Sequence, residues 1–418
     1  MVYVINKDGQ ALMPTERFGK VRRLLKSGLA HIVCRIPFTI QLDYETTDFV
    51  QPISLGVDAG SKHIGISATT SEKELYAADV ELRNDIVDKL SARREQRRTR
   101  RGRLRYRKAR FNNRVSSKHK GWLAPSVENK IQTHLTIVEK IHKFLPITNI
   151  VVETASFDIQ KIKNPSVLSE EYQHGEQLGF FNVREYVLFR DNHTCQHCKG
   201  KSKDKVLNVH HLESRKVGGN APNNLVTLCE TCHNRYHKGE IKLTLRRGKS
   251  LRDAAFMGIM RWAFYERLRN MYENVSMTFG YITKNTRITN GLPKEHYVDA
   301  RCISGNPNAK PLGHYFYQKK VRCQNRQIHK ANLLKGGKKR LNQAPFLVKG
   351  YRLFDLVEYQ KELYYIFARR NSGFFDIRKL DETKVNKGSI SCRHIRLIDT
   401  RKTIIIERRR QDANHLIN

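Results

Sequence analysis

Between Asp191 and Gly239, two Cys-x-x-Cys pairs, Cys195/Cys198 and Cys229/Cys232, bracket an adjacent histidine pair, His210 and His211. Each pair presents two thiolates on one tight turn, and two such turns supply the four sulfur ligands of a tetrahedral structural zinc. A segment this short cannot hold itself together with a hydrophobic core alone, so the ion is expected to staple it. Leu207 to Leu212 reads as a strand, whose neighbouring side chains point to opposite faces. One of the two imidazoles can then bind a metal while the other faces a substrate. Beyond a turn at Gly218 and Gly219, the run from Asn224 to Cys229 leads into a helix carrying His233 and His237. Their i, i+4 spacing puts both imidazoles near one ion. A plain zinc knuckle would need the four thiols but has no use for four further imidazoles in this order.

The 418 residues suffice for about three domains. A net charge of +38, from 78 Lys+Arg against 40 Asp+Glu, marks a protein that lies along a polyanion. No run approaches the roughly 18 consecutive apolar residues of a spanning helix, and the opening MVYVINKDGQ lacks the pattern of a signal peptide. A cytoplasmic protein is expected, with no membrane partner. The remaining cysteines, Cys34, Cys302, Cys323 and Cys392, are scattered and read as free buried thiols.

Along the chain, residues 1–48 read as a small basic unit with strands at VYVIN and QALMP, a helix from Thr15 to Ser27, and a strand from His31 to Leu42. ISLGVDAGSKHIGIS then gives two strands around a turn, with Asp58 at the end of the first. From Lys89 to Lys120 Glu95 is the only acid, and Arg93, Arg97, Arg100, Arg101, Arg105 and Lys108 recur at three- and four-residue steps. A helix there carries a cationic stripe suited to phosphates. Val127 to Phe144 has helical periodicity, and a buried strand ends at Glu153. Leu251 to Tyr272 reads as a helix and Val275 to Thr283 as a strand. His296 and Asp299 lie one helical turn apart, and the tail from Gly305 is basic and rich in strand signals.

Residues 191–239 resemble an HNH nuclease of the ββα-metal type. The resemblance implies that His211 is the general base, that His210 and His233 bind a catalytic divalent metal, and that His237 is a further ligand or a phosphate contact. It also implies that Asn224 braces the loop holding the base. Asp58, Glu153 and Asp299, on strand, strand and helix, are placed where an RNase H-like fold collects its carboxylates. Two divalent ions there would clamp a phosphodiester, with His296 positioning or deprotonating water.

The order of these parts resembles the IscB family of transposon-encoded RNA-guided nucleases, related to the CRISPR type II effectors. GVDAGSKHIGIS resembles the first RuvC motif, VVETASFD the second and KEHYVDAR the third. Ala11-Leu12-Met13-Pro14 departs from the family's Pro-Leu-Met-Pro at its first residue. The implied fold is α/β: an RNase H-like (RuvC) core split in three, with an inserted arginine-rich bridge helix, an inserted HNH module, a small N-terminal α+β domain and a β-rich C-terminal domain. The boundaries are 1–50 (N-terminal), 51–86, 121–184 and 244–304 (RuvC pieces), 87–120 (bridge helix), 185–243 (HNH) and 305–418 (a domain contacting the target-adjacent motif). Arg93, Arg94, Arg97, Arg98, Arg100, Arg101, Arg103, Arg105 and Arg107 would bind nucleic acid. The implied activity is RNA-guided DNA cleavage by a monomeric ribonucleoprotein holding an omega-type guide RNA and a duplex target. HNH would cut the guide-paired strand and RuvC the displaced strand, with Mg²⁺ or Mn²⁺ at both sites and Zn²⁺ in the HNH module. A protein-only HNH endonuclease and a catalytically inactive nucleic-acid-binding accessory protein are the alternatives.

Overall fold

Alternation of side chains along a strand decides the first sheet. In Val2–Ile5, Val2 and Val4 enter a core with Leu12, Val21, Ile40 and Leu42. Tyr3, on the other face, packs edge-on against Phe144 and donates its hydroxyl to the Leu75 carbonyl at 2.9 Å. The computed structural model describes residues 1–104, 122–154, 182–214, 220–246, 252–322, 330–331, 339–340 and 345–411. It divides into two units, Met1–Ala155 with Ile259–Asn418, and Ser156–Gly258.

The first unit opens with a four-stranded sheet ordered Ala11–Thr15, Val2–Ile5, Thr39–Leu42, Ala30–Cys34. Helix Phe18–Lys26 contributes Val21 to its core. The single strand expected from His31 to Leu42 is instead a hairpin, Ala30–Cys34 antiparallel to Thr39–Leu42. Pro37 lies in the turn, where its missing N–H costs the ladder nothing.

A mixed seven-stranded sheet forms the centre of this unit, ordered Val275–Phe279, Asn149–Thr154, Ser54–Ala59, His63–Thr69, Glu74–Glu81, His314–Lys320, Ile404–Arg410. The three strands from Ser54 to Glu81 form an antiparallel meander, and Asn149–Thr154 and Val275–Phe279 join parallel. Both faces of the meander are buried, so its strands read as nearly continuous apolar runs: Leu55, Val57, Ile64 and Ile66 are all 0% exposed. The strand expected over Val275 to Thr283 stops at Phe279, and helix Gly280–Thr289 follows. Nearby, helix Pro125–His142 buries Ile131, Leu135, Val138 and Ile141 at helical spacing.

Helix His296–Ile303 lies directly on the meander. A Cβ on Gly56 would fall 1.9 Å from the Ala300 carbonyl oxygen, and one on Gly65 would fall 1.9 Å from that of His296. No side chain fits at either position, so the two glycines admit the helix to backbone contact with the sheet. Asp58 pairs with Gly65 and shares a face with Gly56. The absence of two side chains therefore brings the helix down onto the carboxylate.

The tail builds a five-stranded antiparallel sheet ordered Ile390–Ser391, Phe374–Arg378, Glu362–Arg369, Leu356–Tyr359, Arg396–Asp399, around Val357, Ile366, Phe375 and Ile377. In the second unit, an antiparallel ribbon of Leu207–His211 and Leu225–Cys229 lies between helices Val183–Arg190 and Glu230–His237 in sequence. Asp191 ties its first helix to the ribbon by accepting from the Thr227 amide at 2.8 Å. Arg190 and that amide hold the carboxylate ionised, outweighing the opposing effect of burial.

Helix Ile86–Leu104 covers the first part of the arginine-rich run, and Arg93, Arg94 and Arg97 are exposed on it. The side chains of Arg98, Arg100, Arg101 and Arg103, and residues Arg105, Arg107 and Lys108 altogether, lie outside the described residues. So do Gly218, Gly219, Cys323 and the part of VVETASFD after Thr154. Of the other scattered cysteines only Cys302 is buried, and Cys34 and Cys392 are half-buried. Among the described residues no helix is long and apolar enough to cross a membrane.

Candidate active sites and metal centres

The second unit holds two clusters of ligand atoms. The thiols of Cys195, Cys198, Cys229 and Cys232 all lie within 4.8 Å of one another. Cys198 Sγ and Cys229 Sγ are 3.8 Å apart, which matches the edge of a tetrahedron of sulfurs about 2.3 Å from a central zinc. The four residues thus fit a structural zinc. Replacing Cys229 by Ala is expected to lower zinc from about one ion per chain to near zero and to open residues 182–246 to protease. Zinc retained at full stoichiometry, by atomic absorption, would remove Cys229 from the ligand set.

The second cluster is His210, His233 and His237, whose ring nitrogens also lie within 4.8 Å of one another. The ring of His210 sits 5.3 Å from each of the other two, and the Nε2 atoms of His233 and His237 are 3.3 Å apart. His210 is 8% exposed, and its Nε2 has no hydrogen-bond partner among the described residues. Burial, then the neighbouring imidazoles, bring its pKa down to about 4, and His233 is lowered by the same two causes. His210 is buried, His233 half-buried and His237 exposed, and three imidazoles whose ring nitrogens converge in this way are suited to a transition-metal ion.

His211 faces away from this cluster, as strand alternation dictates. Its Nε2 lies 3.1 Å from Asn220 Oδ1. Bonded to an amide oxygen, Nε2 carries the proton and Nδ1 is the basic nitrogen. Asn224 is fully buried and spans the end of the same strand: its Oδ1 accepts from the Glu213 amide at 2.9 Å and its Nδ2 donates to the Glu213 carbonyl at 3.0 Å.

In the first unit, Asp58 and Glu153 end adjacent parallel strands, each 8% exposed, and Asp299 comes from helix His296–Ile303. His296 Nδ1 donates to Asp58 Oδ2 at 2.8 Å. Its ring stacks on His63, 5.2 Å away and 2° from parallel, and His63 in turn bonds Asp79 at 2.9 Å. The bond to Asp58 raises the His296 pKa against the effect of burial. The stabilisation from charged His296 is therefore present at acid pH and fades as pH rises through that raised value. Burial and the charge of Asp58 push Glu153 and Asp299 up.

The three acids do not form a cluster within 4.8 Å among the described residues. Two guanidiniums lie among them: Arg261 Nη2 is 3.0 Å from Glu153 Oε1 and 4.0 Å from Asp58 Oδ1, and Arg287 is 2.8 Å from Asp299 Oδ1. Buried carboxylates with a histidine at one edge form a hard oxygen donor set that fits a divalent cation. Arg261 takes part of that charge-balancing role here. Sequence reasoning missed Arg261, Arg287, Asn220 and the His63–Asp79 pair. Nothing in a basic chain singles out two arginines from 78 Lys+Arg, and the Asn220–His211 contact joins residues nine apart, a spacing that no strand or helix periodicity signals.

Comparison with known proteins gives two family matches: residues 2–175 match the RRXRR protein family and residues 195–239 match HNH endonuclease. A 41-residue stretch is 49% identical to anaredoxin of Nostoc sp., spanning 10% of this chain and 54% of that protein, about half its length. Two solved structures of Streptococcus thermophilus Cas9, in complex with the GGAA PAM and the AGAA PAM, align with TM-scores of 0.32 and 0.33. Identities are 15% and 14%, covering 53% and 55% of this chain and 31% of each of those.

Proposed function

Starting from a chain that joins an RRXRR region to an HNH endonuclease domain, a combination consistent with the IscB family, we propose that it is an RNA-guided DNA endonuclease with two separate cutting sites. The observation that carries this is the coexistence, in one chain of net charge +38, of an imidazole centre in one unit and a buried carboxylate centre in the other. A protein with the HNH site alone would not need the second.

At the HNH site, His211 takes the proton of the attacking water at Nδ1, held in that tautomer by Asn220. Asn224 fixes the end of its strand. His210, His233 and His237 would hold the divalent ion, and three imidazoles favour Mn²⁺ or another transition metal over Mg²⁺. At the RuvC-like site, Asp58, Glu153 and Asp299 would hold Mg²⁺ or Mn²⁺, and His296, oriented by Asp58, positions the water. When bound, the ions polarise the phosphodiester and stabilise the attacking and leaving oxygens.

HNH is assigned to the guide-paired strand and the RuvC-like site to the displaced strand. The exposed Arg93, Arg94 and Arg97 support backbone contact with an A-form guide–target duplex. The domain boundaries and the motif-reading tail given above belong to the same reading, as does a monomeric ribonucleoprotein.

The test is to purify the full chain from its host, sequence the co-purifying RNA, and compare cleavage before and after ribonuclease treatment. Loss of site-specific cutting that returns with the RNA supports guidance. Full site-specific cutting by RNA-free protein would leave a protein-only HNH endonuclease.

A further inference from the structure

The carboxylate centre carries its own cation. Arg261, on helix Arg252–Arg269, is 8% exposed. Its Nε donates to the Ala59 carbonyl at 2.8 Å, one residue beyond Asp58. Its Nη2 reaches past that anchor to Glu153 Oε1 at 3.0 Å, with Asp58 Oδ1 4.0 Å away. Space beside that same oxygen is tight, since a Cβ on Gly280 would lie 3.2 Å from Oε1. A guanidinium stays charged at any working pH. It therefore offsets the repulsion between two desolvated carboxylates. Yet Nη2 also occupies one of the two oxygens that Glu153 can offer an incoming ion.

Resting on the carboxylate centre proposed above, we propose that Arg261 is a built-in counter-cation that competes with the divalent metal. It holds Glu153 and Asp58 together in the metal-free protein and gives up Glu153 when an ion loads. The bond from Nε to Ala59 keeps the fork at the rim of the site, so the released Nη2 remains beside the acids. There it can donate to a phosphate oxygen of the DNA strand, for which a planar guanidinium fork is well shaped. Arg261 thereby makes metal binding weak in free protein and stronger once a phosphate takes up the displaced guanidinium.

The test is Mn²⁺ titration of zinc-loaded full chain, read by electron paramagnetic resonance, in the wild type, Arg261→Gln, Asp58→Asn and the Arg261→Gln/Asp58→Asn double variant. Asp58-dependent binding, taken by difference, should tighten at least about tenfold in Arg261→Gln, because one full positive charge a few ångströms away is removed. The same variant, zinc-loaded but without added Mn²⁺, should melt lower than wild type, and added Mn²⁺ should narrow the gap. Unchanged or weaker Asp58-dependent binding in folded Arg261→Gln overturns the proposal and makes Arg261 a structural pillar.

Should Arg261→Gln not fold, wild-type protein decides the matter through the guanidinium hydrogens of Arg261, followed by ¹⁵N-arginine NMR as Mg²⁺ is added. Faster exchange of the Nη2 hydrogens with Nε–H still protected supports displacement, and no change overturns it. If Asp58→Asn alters Mn²⁺ binding in neither background, the carboxylate centre itself is misread, a result distinct from either of the others.

Discussion

Replacing His211 by Ala is expected to turn double-strand cutting into nicking, with one strand cleaved about 10²–10⁴-fold more slowly and the other unaffected. Replacing Asp58 by Ala should do the converse. Both follow from the separation of the two donor sets: His211 and the three-imidazole cluster belong to one unit, Asp58 and its partners to the other. His211 contributes no ligand atom to either metal cluster, so its loss should remove the base without emptying the ion site. His211→Ala protein should accordingly retain its zinc and its Mn²⁺ binding. Strand-labelled substrates on a denaturing gel distinguish the outcomes, and a single substitution that stops both cuts would end the assignment of one strand to each site.

A larger structural effect is expected at a residue with no side chain. Gly65→Ala places a Cβ 1.9 Å from the His296 carbonyl oxygen and 2.4 Å from its carbon. Backbone cannot rotate away as a side chain can, so helix His296–Ile303 must lift from the sheet or the meander must deform. The cost should reach the upper end of overpacking effects, about 3 kcal/mol or more. Because that helix carries both His296 and Asp299, cleavage at the carboxylate centre should be lost, while zinc content and the cut made by the HNH site are retained. Gly19→Ala is the control: a Cβ there meets nothing within 4 Å, and the helical position should tolerate or slightly gain from alanine. Hydrogen exchange over residues 296–303 reads the difference directly. Native protection in Gly65→Ala would show that the contact yields at little cost.

The local chemistry was legible where it depended on spacing within a few residues. Two Cys-x-x-Cys turns, a strand placing His210 and His211 on opposite faces, and an i, i+4 histidine pair each constrain geometry over one or two turns of backbone, where strand and helix periodicity leave little freedom. The hairpin at residues 30–42 is not legible in the sequence because its two strands are short and similar in composition, with Pro37 marking the turn between them.

The sequence by itself determined the donor types, their order, and the positive charge that calls for a polyanion, because these are properties of residues and their near neighbours. The tertiary structure decided which of many equivalent cations and amides meet them. It seats Arg261 between Glu153 and Asp58, Arg287 on Asp299 and Asn220 on His211. Each of the three arginine contacts joins residues at least 12 apart in sequence, and such pairing depends on how the sheet and helices pack. Gly56 and Gly65 show the reason most plainly: what matters at each is empty volume, and that volume has meaning only once a helix has come to fill it.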